Sequence, residues 1–273
     1  MAILDEAAEL VKERLGDDLE DITMERIVIG VFFTGVRLSN GTGGICYTPI
    51  KEIPEAVCCP SSAGRILNPA KIQGMSAKEA LSELSSPEIL KRATAIAVLN
   101  ALSSTCFSQG WQERYDIKMK MDALDAVRMP EGSSVAVVGA IVPVLQRLKQ
   151  RGGTWWVLEQ DPRTLKGEEL EHYIPPERSE EIIGRADILV ITGVTLINTT
   201  LERILEAARP DAEITVMGPT ASMLPEPLFE RGVSVTGGVW ITRPYELLDV
   251  LAAGGSGYHF LDTFADRIVI EKR

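Results

Sequence analysis

Two carboxylates two residues apart, Glu159 and Asp161, stand directly after the apolar run Trp155-Trp-Val-Leu158. Such a pair can complete the shell of a hard metal ion. It can also divide acid and base roles, if its surroundings separate the two pKa values. Four more apolar runs of the second half end in similar chemistry. Gly139-Ala-Ile-Val-Pro143 follows the first, and Thr192 to Thr200, with Gly193, Thr195, Asn198 and Thr199, follows the third. Gly218-Pro219-Thr220-Ala-Ser222 and Thr236-Gly237-Gly238 follow the fourth and fifth. Glycine lets a ligand approach the backbone, and the helix that follows a strand offers free N–H groups at its start. That combination suits an anionic or strongly polar guest. Turn and cap geometry accounts for any single loop of this kind. Convergence of all five on one side of a sheet points instead to a ligand site.

The first loop fails the dinucleotide fingerprint. G-x-G-x-x-G needs three glycines, whereas Ile141 and Pro143 follow Gly139. Glu159 does lie 20 residues after Gly139, where an acid would hold a ribose hydroxyl. One feature of two leaves NAD as an alternative to other ligands. Asn198 to Thr200 opens a helix, so a capping role competes there with ligand contact.

In the first half, Asn40-Gly41 is a hairpin signal. Thr42-Gly-Gly44 exceeds what the turn needs and reads as a loop reaching across a cleft. Cys58-Cys59-Pro60 offers soft ligands, but adjacent cysteines point apart, and all four (Cys46, Cys58, Cys59, Cys106) read as buried, inert thiols. No C-x-x-C occurs, and the two histidines, His172 and His259, are far apart, so no zinc site is indicated.

The elements that must position these groups follow from periodicity. Residues 3–15 form an amphipathic helix ended by Gly16. Ile27 to Phe33, Val36 to Ser39 and Ile45 to Thr48 form three antiparallel strands with short connections. Ser86-Pro87-Glu88 caps a helix that is apolar on all sides from Ile89 to Leu102, hence buried. Lys118–Pro130 reads as a further helix, with Pro130-Glu-Gly132 as a hinge. From Ser133 onward strand and helix alternate, and the strands suit a parallel sheet covered on both faces. Asp266 to Glu271 adds an edge strand. The expected fold is therefore α/β: a Rossmann-like, mostly parallel sheet in residues 131–273, and a small α+β domain in residues 1–130.

The net charge of −11, from 28 basic and 39 acidic residues spread along the chain, argues against a nucleic-acid partner. No apolar stretch approaches the ~20 residues of a membrane helix. The N-terminus carries early acids and no cationic segment, so it does not read as a secretion signal. A cytoplasmic protein is expected.

The quoted loops together resemble the heavy-metal chelation family of bacteria and archaea. The resemblance is carried by Val137-Val-Gly139, Ala186 to Gly193 continuing through Thr195 to Thr200, Met217-Gly-Pro-Thr220 and Gly237-Gly238. Phe33-Thr-Gly35 to Tyr47 looks like that family's companion domain, which has an enolase-N-terminal-like fold. The resemblance implies a cleft between the halves, handling of a heavy metal or metal chelate, and a homodimer. It transfers no catalytic residue. The loops offer mostly Gly, Thr and Asn, which suit the carboxylates of an organic chelate better than a naked cation. Three classes stay open: a chelate-binding protein, an enzyme acting on a small anionic or nucleotide-like substrate at the same cleft, and a structural module.

Overall fold

The computed structural model describes residues 2–52, 67–111 and 115–272; Cys58, Cys59 and Pro60 lie outside the described residues. Eleven strands form two sheets among them. The small sheet contains β1 (Met24–Ile29), β2 (Phe33–Leu38) and β3 (Gly43–Tyr47), antiparallel in that order. The apolar run expected as one strand through Phe33 breaks at Gly30. A Cβ on Gly30 would stand 2.6 Å from the carbonyl oxygen of Leu251, so the chain turns where only glycine fits.

The large sheet comprises β4 (Tyr115–Met119), β5 (Val135–Val138), β6 (Trp155–Leu158), β7 (Tyr173–Ile174), β8 (Ile188–Thr192), β9 (Glu213–Met217), β10 (Val233–Ile241) and β11 (Ala265–Lys272). Its spatial order is β4-β11-β10-β9-β8-β5-β6-β7. The six strands from β5 to β10 are parallel, and in chain order they run 3-2-1-4-5-6, the doubly wound arrangement. Two sequence expectations change here. Lys118–Pro130 is not a helix: its start belongs to β4, paired antiparallel with β11, and only Ala123–Ala126 is helical, capped by Asp122. The C-terminal strand β11 is interior, between β10 and β4, so β4 takes the edge.

Strand side chains alternate between two cores, as the period of two requires. Val135, Val137, Val157 and Val190 pack with Val144, Leu145 and Leu148 of the helix Val142–Arg151. Ala136, Leu158, Leu189 and Val216 point the other way, into a core shared with the helices Ile3–Leu15 and Ile89–Ser108. The second helix is buried nearly all round because β2 and β3 cover one side while Val194–Ile197 and Pro219–Ala221 cover the other. Helix Ile89–Ser108 begins two residues later than Pro87 would allow at its first position, and Ser86 accepts the Glu88 amide instead of capping directly. Gly44 permits the close approach of β3: its Cβ would lie 2.1 Å from the Ala97 carbonyl oxygen. Thr42-Gly-Gly44 therefore leads into a packed strand and does not cross a cleft.

Candidate functional site

The carboxyl ends of β5, β6, β8 and β9 open onto a cavity of about 850 Å³, which the middle of β10 also lines, because Gly237 and Gly238 lie inside that strand, paired with β11, and not in a loop after it as the sequence suggests. A site is expected there, because β5 is where successive connections part in opposite directions: β6 lies on one side of it and β8 on the other. Phe33, Tyr47, Pro49 and Lys51, from β2, β3 and the turn after β3, line it from the small sheet. The volume falls within the range of small-molecule sites.

Of the residues singled out in sequence, Gly139, Glu159, Asp161, Gly193, Thr195, Asn198, Gly218, Pro219, Thr220, Gly237 and Gly238 line this cavity. Asn40, Gly41 and Thr42 do not. They form the turn between β2 and β3, where the Asn40 amide donates to the Thr105 hydroxyl at 3.0 Å and the Thr42 hydroxyl donates to Asn40 Oδ1 at 2.8 Å. Thr199 is also outside. It stands exposed at φ 58°, between the helical turn Val194–Ile197 and the helix Leu201–Ala207.

Several lining groups owe their identity to packing. A Cβ on Gly237 would meet the Ala123 Cβ at 2.2 Å, and one on Gly238 would meet the Ser222 hydroxyl at 2.7 Å. Thr195 donates its hydroxyl to the Thr192 carbonyl at 2.7 Å, within its own turn. Gly218 differs, since its φ of 119° excludes other residues and nothing crowds it. The loop it begins is held from the opposite half: Asn100 Nδ2 donates to the carbonyls of Ile45 at 2.9 Å and Thr220 at 3.0 Å.

The two carboxylates have different surroundings. Glu159 Oε2 accepts the Ala140 amide at 2.9 Å and Oε1 accepts the Asp161 amide at 3.1 Å. Asp161 is bonded by Arg163 Nε at 2.8 Å and by Lys51 Nζ at 3.0 Å. Those bonds, Arg163 first, hold its carboxyl well below the usual range, so it stays ionised. Lys51, Arg163, Asp122 and Arg267 also line the cavity, and sequence reasoning missed them. Arg163 carried a signal, being two residues from Asp161. Lys51 carried none, because only the fold brings the end of β3 to β6.

The described residues alone do not offer a bare heavy-metal ion a ligand set. Among the described residues no three His, Cys, Asp or Glu side chains converge. Cys46 is buried, and burial pushes its thiol far up despite a bond to Thr220; Cys106 is pushed up to about 12, chiefly by burial. Neither presents a thiolate. His172 bonds the Trp155 carbonyl at 2.9 Å, and His259 lies against Ser256 at 3.0 Å.

Two family models described as "Putative heavy-metal chelation" match this chain, one over residues 12–103 and the other over 122–270. The chain belongs to this family. A solved family protein of unknown function from Pyrococcus horikoshii superposes with a TM-score of 0.77 over 98% of this chain and 99% of its own, at 21% identity. Another, from Desulfitobacterium hafniense, gives 0.71 over the same shares at 20% identity. Both share the fold of this heavy-metal chelation family member. An uncharacterized protein of Methanocaldococcus jannaschii is 28% identical over 160 residues. That match takes in 58% of this chain and only 57% of the archaeal protein. Among the described residues no helix is long and apolar enough to cross a membrane.

Proposed function

We propose that this chain binds a small organic molecule in the cavity at the strand ends, and that any heavy metal it handles arrives already complexed by such a molecule. The single observation behind this reading is the cavity of about 850 Å³ at the switch point of the parallel sheet. Its lining mixes apolar walls, including Phe33, Tyr47, Ile141 and Leu158, with the charged group Lys51, Asp161 and Arg163. An organic chelate has both characters. A naked soft cation would want converging thiolates or imidazoles instead. The 3-2-1-4-5-6 strand order supports the Rossmann-like label for the larger half. The small antiparallel sheet backed by the long helix supports the enolase-N-terminal-like label for the other.

Thermal-shift screening separates the candidates, because a ligand bound only by the folded state raises stability by mass action. Free transition-metal ions are compared with the same ions as citrate complexes, and with citrate alone. Stabilisation by the complex, lost in Thr220→Arg, is the expected result. Stabilisation by the free ion at stoichiometric level, with no response to any organic partner, overturns the reading. A second reading, an enzyme for a small anionic or nucleotide-like substrate, is favoured by the presence of two cavity carboxylates in unlike environments. There Asp161, being kept ionised, would act only as a base or an electrostatic anchor.

A further inference from the structure

The first residue after β6 is set up to accept hydrogen bonds from whatever fills the cavity. Glu159 lines it beside the β5–β8 switch point. Two amides from different strand-end loops, Ala140 at 2.9 Å and Asp161 at 3.1 Å, fix the carboxylate, one on each oxygen. A carboxylate has about four acceptor positions, so with respect to the described residues each oxygen retains one. Among the described residues no cation pairs with Glu159, because the nearby Lys51 and Arg163 are both engaged by Asp161. The remaining positions call for donors from the ligand, and a second anion there would be repelled.

The same loop that orients Glu159 lacks the glycine pattern of a diphosphate site. Its first three amides are committed: Gly139 donates to the Leu158 carbonyl at 2.9 Å, Ala140 to Glu159, and Ile141 to the Gly139 carbonyl at 2.9 Å. Pro143 has no N–H, and the Ile141 side chain lines the space where a phosphate would approach. Acceptor and phosphate cradle, coupled in dinucleotide sites, are separated here.

We propose that Glu159 is the acceptor for a vicinal diol on the bound molecule, one hydroxyl to each carboxylate oxygen. This rests on the cavity being the ligand site. The shared chemistry has two sources: the cis-diol of a ribose without a diphosphate, and an aromatic diol, which is also a metal-chelating group.

Isothermal titration of the full chain with two matched pairs tests it: adenosine against 2′-deoxyadenosine, and catechol against phenol. The expected result is that at least one diol binds about tenfold or more tightly than its partner lacking one hydroxyl, as bonds to a charged acceptor warrant. Glu159→Gln is expected to remove that preference, weakening the diol far more than its partner, which has a single hydroxyl to lose from the charged acceptor. Preference confined to the adenosine pair identifies a ribose, and preference confined to the catechol pair an aromatic diol. Equal binding within both pairs of the wild-type chain overturns the proposal, as does absence of binding by all four probes or a preference that survives in Glu159→Gln. The wild-type comparison stands whether or not the variant folds. The chelate screen with Thr220→Arg tests the cavity separately, so a failed diol acceptor leaves the cavity reading intact.

Discussion

The backbone amide of Tyr47, at the end of β3, donates to the hydroxyl of Thr220 at 3.0 Å. This bond joins the small sheet to the loop after β9, and both residues line the cavity. The cavity is therefore bounded by two parts of the chain that are bonded to each other, and the Asn100 side chain reinforces the junction from the long helix.

Asn100 is the first point at which to break it. Its Nδ2 serves the carbonyls of Ile45 and Thr220 in a fully buried position, at 1% exposure. Asn100→Ala strands both acceptors and leaves a small void, which should cost about 2–4 kcal/mol. Asn100→Asp should be worse, since it sets a carboxylate against carbonyl oxygens. The order Asn100, Ala, Asp in urea-unfolding midpoints checks this. An Asp variant as stable as wild type would mean that the Asn100 amide does not hold the two carbonyls.

Gly44 tests how closely β3 and the helix are packed. A Cβ there meets backbone, the Ala97 oxygen at 2.1 Å and the Ala101 nitrogen at 2.5 Å, so no side-chain rotation can relieve it. Gly44→Ala should lower stability by about 3 kcal/mol. Gly41→Ala, where the nearest atom is a flexible Arg37 terminus at 3.9 Å, meets no such wall and should lose only the cost of its φ of 88°. Denaturation midpoints of the two variants decide it.

These two positions also show what sequence could and could not reveal. Alternation and apolar runs record local burial, so helix 3–15 and five of the six parallel strands were legible, while β7, only two residues long, left no run to read, and β10 continues through Gly237 and Gly238 where the sequence suggests a loop. The excess glycine at Thr42-Gly-Gly44 was visible, but its cause is a helix more than 50 residues away, and a lone sequence carries no record of that contact. Lys118 to Met119 read as helical because β4 is an edge strand with one wet face, so its pattern is polar and weakly periodic. Lys51 meets Asp161 only because the two sheets face each other. Gly237 and Gly238 looked like ligand-approach glycines, and only coordinates show that Ala123 and Ser222 require them.

Cys106 and Tyr115 predict an alkaline weakness. Both are pushed up to about 12, burial being the main cause in each. A group whose pKa is higher folded than unfolded contributes fully below its unfolded value and loses that contribution as pH rises through the folded one. Stability should therefore decline from about pH 9, the ordinary thiol value, toward pH 12, with each such group adding up to about 1.4 kcal/mol per pH unit. Cys106→Ala should make that limb shallower in denaturation series at pH 8 to 11, and an unchanged slope would refute it. At pH 8 neither Cys46 nor Cys106 should react with iodoacetamide in the folded chain, as peptide mapping can show.

Acid acts on the seam between the first helix and the large sheet. Glu6 receives Arg231 at 2.7 and 2.9 Å, and this bond, ahead of the opposing burial, lowers its pKa from the ordinary 4.5. A carboxylate depressed in this way stabilises the fold above its unfolded value and ceases to do so as pH falls through the folded one. Glu6→Gln should therefore be less stable than wild type at pH 7, by about 1 kcal/mol after allowance for solvent screening. The two chains should converge as pH drops below 4.5 toward the folded value, where the wild-type carboxyl is itself protonated. Urea midpoints at pH 7, 5, 4 and 3 measure both limbs. A difference that persists undiminished at pH 3 would mean that Glu6 acts through its shape and not its charge.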